Sequence, residues 1–434
     1  MLGKISTNKN TSSGEKLRVA MISYHTCPLA TLGGKDTGGM NVYVRDLTRE
    51  LGRQGIGVDV FTRSQDEHVP HVLHEMGYGN RVVHIPSGPE IPLPKPELVR
   101  HLPEFVDHIR DFAEKKQVRY DIIHSHYWLS GLAALELQSS WNVPVLQMFH
   151  TLALVKRQVA RRPEETEPEV RIQGEFTLLH NADRIIAATE NESALFESLY
   201  EVHRDDIAVI PPGVDTTRFY RISPDEAFEF AELPEDHQMI LFVGRIEPLK
   251  GIDTLLNAML LLRHRGLTSP DCRLCLFIIG GDPDQDQEGE SPEMERLLQM
   301  AAEYDMEGVI RFLGKKDQDT LPYYYSAAEV VVVPSHYESF GMVALEAMAC
   351  GTPVVASETG GLAYLVKDGE TGFSVPAGDP EALADRLERL LINDRLRDTM
   401  AENAVLYARQ FAWPVITTQL VSLYNLETAR RKQS

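Results

Sequence analysis

Between Leu17 and about Gly213 the chain alternates short, β-rich apolar runs with amphipathic helical stretches, and after one interruption the same rhythm begins again. The first runs are LRVAMISY, VDVFTR, RVVHIP, DIIHSHYW, VPVLQMFH, DRIIAAT and DIAVIPPG, and they tend to end in Gly, Ser, His or Pro. Stretches such as VYVRDLTRELGRQG lie between them, with Val44, Leu47 and Leu51 at helical spacing. Strand–helix alternation implies parallel strands with helices on both faces, the doubly wound α/β arrangement. The interruption, PPGVDTTRFYRISPDEAFEFAELPEDHQ, is rich in Pro, Asp and Glu and reads as a domain boundary. A second series follows: MILFVGR, CRLCLFIIGG, VIRFLG, VVVVPS, PVVASE and TGFSVP. Two Rossmann-like domains are expected, residues 17–215 and 216–410, facing a cleft that is the natural site. Residues 1–16 read as a disordered start, and 411–434 as a last helix that crosses back onto the first domain.

Charge narrows the partners. With 43 Lys+Arg against 64 Asp+Glu the formal charge is −21, and such a field repels nucleic acid and anionic lipid. At 43% hydrophobic and 25% charged residues the composition is that of a soluble globular protein. No apolar run reaches the roughly 18 residues of a membrane span, and MLGKISTNKNTSSGEK lacks the apolar stretch of a secretory signal, so a cytoplasmic location is expected. Four cysteines do not make a disulfide framework. Cys272 and Cys275 form a C-x-x-C, but on the strand-like RLCLFII residues three apart point to opposite faces, so they read as core.

Three segments carry chemistry. After the first strand, TLGGKDTGGMNVYV places Gly38 and Gly39 before a helix, where backbone N–H groups and the positive helix end can approach an anion. After VGR, Arg245 and Lys250 flank a strand-to-helix turn, and two cations there can neutralise a diphosphate that becomes a leaving group. In SHYESFGMVALEAMACGTPVVAS, Glu338 precedes a helix beginning near Phe340 and Glu346 lies within it among apolar residues. A buried acid there is costly unless it is paired or accepts hydroxyl hydrogen bonds, as a ribose would offer. The bland alternatives are solvated surface charges, a helix-dipole carboxylate and a structural acid.

The GG loop, R-x4-K and E-x7-E, in this order over two Rossmann-like domains, resemble the retaining GT-B glycosyltransferases of family 4. More narrowly, HTCPL, DTGGMNVYV, HSHYWLSG and HTLA resemble the inositol-phosphate N-acetylglucosaminyltransferases of mycothiol biosynthesis, with sucrose-phosphate synthases as neighbours. The resemblance implies that Arg245 and Lys250 hold the diphosphate of a UDP-sugar, with Gly39 facing it from the first domain. Glu338 with Phe340 and Gly341 would hold sugar hydroxyls, Glu346 the ribose, Lys316 the uracil, and His150 would lie beside the donor sugar. On the acceptor side it implies His25, the loop with Asp36, Thr37, Gly38 and Asn41, and Lys95, Tyr127, Thr151 and Arg171. Those last four combine two cations with two hydroxyls, a set suited to a phosphate group. Lys35, where the subfamily has Gly, and the spacer PLPKPEL depart from the pattern at the acceptor mouth. No cofactor or metal is required by such a scheme; members of the family sometimes show a structural magnesium ion near Tyr325, Ser326, Ala328 and Thr352.

Other features weigh less. His124 and His126 form H-x-H without a nearby acid or Cys to complete a zinc site. DPDQDQEGESPE spaces its acids like an EF-hand loop but has Gln287 where the turn needs Gly. The cluster KRQVARR from Lys156 can touch an anionic substrate or lipid, but four cations in a loop read first as solvated. A homodimer is the default expectation for oligomeric state. The alternatives to a phosphorylated acceptor are fructose 6-phosphate in sucrose-phosphate synthesis, a membrane-surface enzyme acting on lipid, and a non-catalytic sugar-nucleotide sensor that would have lost Lys250 or Glu338.

Overall fold

The computed structural model describes residues 17–31, 37–160, 166–232, 237–267, 274–281, 292–306 and 308–433. The amino-terminal segment, Asp36, Cys272 and most of the acidic EF-hand-like segment lie outside the described residues.

The first sheet contains β1 (Arg18–Ile22), β2 (Gly57–Arg63), β3 (Val72–Leu73), β4 (Arg81–Ile85), β5 (Ile122–His126), β6 (Val145–Met148), β7 (Arg184–Ala187) and β8 (Ile207–Val209), in the order β3-β4-β2-β1-β5-β6-β7-β8. All pairings are parallel except β3 with β4. The second contains β9 (Gln238–Val243), β10 (Leu274–Ile279), β11 (Ile310–Phe312), β12 (Val330–Val333), β13 (Val354–Ser357) and β14 (Gly372–Val375), all parallel, in the order β11-β10-β9-β12-β13-β14. That is the doubly wound order, with a switch point between β9 and β12 and its counterpart between β1 and β5.

The period-2 geometry of a strand explains why its runs are apolar throughout. Val19 and Met21 pack on one face with Val44, Leu47 and Leu51 of the helix Gly39–Arg53, whereas Ala20 and Ile22 pack on the other with Phe105, Ile109 and Leu137. In the second domain Met239 and Leu241 face one way, Ile240 and Phe242 the other. Cys275 is buried on β10. The amphipathic helix Leu102–Lys116 buries Leu102, Phe105, Val106, Ile109 and Ala113 in this core and so has no apolar face left for a membrane surface. Among the described residues no helix is long and apolar enough to cross a membrane.

The chain crosses between domains twice, side by side: Val214 N–H donates to the Phe411 carbonyl at 2.8 Å, and Trp413 N–H to the Val214 carbonyl at 3.2 Å. The final helix, Trp413–Gln433, then lies on the first domain, through an Arg184–Glu427 ion pair of 2.8 Å and a Tyr424 hydroxyl 2.7 Å from His124 Nδ1. Several polar atoms along this seam have no such contact. Tyr43 Oη, His124 Nε2, His126 Nε2, Trp413 Nε1 and Thr417 Oγ1 are buried with no hydrogen-bond partner among the described residues.

Burial pushes His124 and His150 down to about 3 and His126 well below its usual range, so the imidazoles of the seam are neutral. A His depressed in the folded state gains protons on unfolding, so its stability contribution is intact above about pH 6.5 and is lost as pH falls toward 3. His124 and His150 are each expected to remove about 2–3 kcal/mol between pH 6.5 and 4.5. Urea midpoints across that range check this; a midpoint unchanged from pH 7 to 4.5 would contradict it.

Candidate functional site

Loops from the carboxyl ends of β1, β5, β6, β9 and β12 meet in one cleft of about 710 Å³ between the domains. This is where open α/β sheets leave room for a ligand, at both switch points.

The first domain contributes the glycine turn. A side chain at Gly38 would come within 4.0 Å of Arg245 Nε, and one at Gly39 within 3.7 Å of Met342 Cγ, so the turn sits against the second domain. Asn41 holds it there: Oδ1 accepts from Gly38 N–H at 2.9 Å, while Nδ2 donates to Thr26 Oγ1 at 2.7 Å and to the Cys27 carbonyl at 2.8 Å. Asn41 lines the cleft with its amide spent on the turn, and Thr37 lies beside it.

Tyr127 and His150 each follow a central strand and each take a left-handed backbone, with φ of 73° and 62°. Strain of this kind in non-glycine residues persists where the surroundings over-determine it, commonly at sites. Arg171, 2% exposed, lies over the Tyr127 ring at 4.8 Å, and Lys95 Nζ lies 5.5 Å from the same ring. The Arg171 guanidinium donates to Glu175 at 2.7 Å, to Glu167 at 2.9 Å and to the Thr151 carbonyl and hydroxyl at 2.8 and 3.0 Å. The His25 ring lies 4.6 Å from that of Tyr127, tilted by 43°, and burial, with Lys95 and Arg171 nearby, holds it neutral. The four residues expected to share a phosphate are therefore together.

The second domain contributes Arg245 and Lys250. Arg245 pairs with Glu247 at 2.8 Å, and Lys250 Nζ lies 2.5 Å from Glu338 Oε2. Lys250 ends a tight turn whose next residue, Gly251, has φ of 66° and a missing Cβ that would fall 2.1 Å from the Pro334 carbonyl. Only glycine lets the turn press on the loop that carries Glu338. The helix begins at Met342, two residues after Phe340, because Gly341 takes φ of 103° as its cap. Glu346 is buried in its second turn, accepts from the Tyr325 hydroxyl at 2.9 Å, and is pushed up to about 7 by burial. Lys316 lines the cleft over the Tyr324 ring.

Spacing in one dimension gave no sign of Gln318, Ser339 and Glu167, which line the cleft together with Lys156. Gln318 receives a hydrogen bond from Arg45, and Ser339 donates to the His150 carbonyl, so both bridge the domains. KRQVARR is not a solvated loop throughout: Lys156 and Arg157 lie on the helix Ala153–Val159, and Lys156 pairs with Glu167 inside the cleft. His150 joins His126 at 3.0 Å as a third imidazole beside the H-x-H pair. Tyr325, Ser326, Ala328 and Thr352 are neighbours, but the Thr352 hydroxyl donates to the Tyr325 carbonyl at 2.5 Å and Ser326 Oγ accepts from Ile222 N–H at 3.1 Å. These neutral oxygens, already engaged with one another and with Ile222, are a poor match for a hard dication that favours carboxylates and water.

Comparison with known proteins agrees with this architecture. The family described as Glycosyltransferase Family 4 matches residues 37–218, and Glycosyl transferases group 1 matches 224–406. The D-inositol 3-phosphate glycosyltransferase of Actinosynnema mirum is 40% identical over 94% of this chain and 96% of its own, and that of Corynebacterium glutamicum is 39% identical over 94% and 96%. Sucrose-phosphate synthase from Thermosynechococcus elongatus superposes with a TM-score of 0.87 at 34% identity, covering 96% of this chain and 100% of that one. HepE of Anabaena, solved with UDP and glucose, shares the fold at 20% identity and a TM-score of 0.72, over 94% and 99% of the two chains. A chain matched in both halves and along nearly its whole length by such relatives belongs to the group 1 and family 4 glycosyltransferases of GT-B fold.

Proposed function

We propose that the protein transfers a sugar from a UDP-sugar, UDP-GlcNAc in first place, to a small phosphorylated acceptor such as inositol phosphate, with retention of configuration. The observation that carries this is one cleft with two cationic sets, Arg245 and Lys250 from the second domain and Lys95 and Arg171 from the first. One set suits the diphosphate of a donor, the other an acceptor phosphate. The names of the inositol-phosphate relatives support the acceptor, and the UDP complex of HepE supports the donor.

In this reading Arg245 and Lys250 bind the diphosphate and stabilise the charge that grows on it as the glycosidic bond breaks. Glu338 orients the sugar hydroxyls and Glu346 the ribose. The acceptor hydroxyl attacks from the face that the diphosphate leaves, and its proton passes to a departing phosphate oxygen. The new bond thus forms on the same side, and UDP leaves with the proton. The Ser339–His150 and Gln318–Arg45 bridges hold the domains together over the donor and keep water out.

The 34% identity to sucrose-phosphate synthase favours a second reading, UDP-glucose with fructose 6-phosphate. UDP release from UDP-GlcNAc and UDP-glucose, each with inositol phosphate, fructose 6-phosphate or no acceptor, separates the two. Release confined to UDP-GlcNAc with inositol phosphate is expected. Release confined to UDP-glucose with fructose 6-phosphate replaces the first reading with the second, and silence with every phosphorylated acceptor overturns both.

A further inference from the structure

The acceptor end of the cleft holds a carboxylate where the reading above needs a phosphate. Glu167 Oε1 is gripped by Arg171 at 2.9 Å and by Lys156 Nζ, and all three side chains line the cleft beside Tyr127 and Thr151. Burial raises the Glu167 carboxyl, but the two cations outweigh it and hold its pKa below the usual value. A carboxylate so placed is an internal anion in a two-cation cradle. It shares charge and oxygen geometry with one edge of a phosphate group.

Arg171 does not depend on Glu167 for its position. Glu175 and both oxygens of Thr151 hold the guanidinium from its other sides. Lys156 is different: it reaches the cleft from the exposed side of the short helix Ala153–Val159, with its side chain 30% exposed, and Glu167 is its ion-pair partner there. Turning the Glu167 side chain toward solvent would open one donor edge of Arg171 and the Lys156 ammonium together, with no rearrangement of Tyr127 or Thr151.

We infer that Glu167 is a built-in stand-in for the acceptor phosphate, and that Lys156 is a third cation of the phosphate cradle, taken over by the acceptor when Glu167 is displaced. The inference rests on the phosphorylated-acceptor reading and deepens it. A phosphate dianion has the charge to displace Glu167 from two cations at once, whereas a neutral polyol leaves the internal pair closed. A phosphorylated acceptor's affinity is thus reduced by the free energy needed to displace the carboxylate, a cost that a neutral polyol does not bear.

The test uses the full chain and two near-isosteric or truncating variants, Glu167→Gln and Lys156→Ala. Binding of inorganic phosphate and of inositol phosphate is followed by calorimetry without donor, and transfer is compared between inositol phosphate and unphosphorylated inositol. Lys156→Ala is expected to weaken both phosphate ligands about tenfold, the low end for one charge-assisted hydrogen bond. Glu167→Gln is expected to tighten both by about threefold to tenfold, since the competing charge is gone while Glu175 and Thr151 keep Arg171 in place. The preference for inositol phosphate over inositol should fall in the lysine variant and rise in the glutamine variant. If Glu167→Gln weakens phosphate binding as Lys156→Ala does, Glu167 is a structural support and the inference is overturned. Wild-type transfer to inositol phosphate with both variants unchanged overturns the inference alone. A wild type that neither binds nor uses any phosphorylated acceptor overturns the underlying reading, and the inference with it.

Discussion

Replacing Lys250 by alanine is expected to lower kcat by about 10²–10³-fold, the range for losing one preorganised group aimed at developing charge, while the donor KM changes only a few-fold. The reason lies in how its charge is shared. In the resting cleft the ammonium is 2.5 Å from Glu338, so part of its field is already neutralised when the donor arrives. In the proposed reaction the departing diphosphate becomes more negative as the glycosidic bond breaks, and the balance shifts toward it. An interaction stronger in the transition state than in the ground state appears in kcat. The turn that carries Lys250 is set by Gly251 against the Pro334 carbonyl, so removing the lysine side chain leaves the backbone path intact. Steady-state rates at saturating acceptor measure both parameters. A rise in KM with unchanged kcat would mean that Lys250 only binds the donor, and the leaving-group role would be wrong.

The parts of this architecture legible in the sequence are those written in local pattern. Continuous apolar runs separated by amphipathic stretches specify doubly wound sheets, because β1 and β9 must bury both faces against helices. Motifs at the carboxyl ends of those strands then have to converge. Gly39, Arg245 and Glu338 come from residues far apart in the chain and meet because the topology delivers every such loop to one edge. What local pattern does not encode is which long-range partner a polar side chain finds. Glu167 carries no signal in its own segment, and its role depends on Lys156 and Arg171 reaching it from two separate helices. The same holds for Ser339 against His150 and Gln318 against Arg45, contacts that exist only once the two domains face each other. His124, His126 and Tyr424 show the limit from the other side. H-x-H without an acid or Cys argues against a zinc site but leaves the pair unexplained, and only the crossover helix reveals a buried neutral seam.

Arg171→Ala is expected to lower kcat/KM for a phosphorylated acceptor by about 10²–10³-fold, as loss of a bidentate, charge-assisted contact predicts, with a much smaller effect on the same acceptor without its phosphate. The substitution has a second consequence that must be separated from the first. Arg171 and Glu175 form a fully buried pair at 2.7 Å, and removing one partner strands the other, at about 3–5 kcal/mol of stability. Glu175 also accepts from the Tyr200 hydroxyl at 2.5 Å and the Ala153 N–H at 2.9 Å, so a neutral amide can keep part of that network. The double variant Arg171→Ala with Glu175→Gln removes both charges and should recover most of the melting temperature without recovering transfer to the phosphorylated acceptor. Arg171→Lys should fall between, because an ammonium keeps the charge but cannot hold Glu175, Thr151 and a phosphate in one planar fork. Thermal melts and acceptor-dependent UDP release on the three variants separate folding from recognition. If the double variant regains transfer along with its stability, Arg171 supports the fold and the acceptor phosphate is held elsewhere. If stability returns and transfer does not, the guanidinium is the group that reads the phosphate.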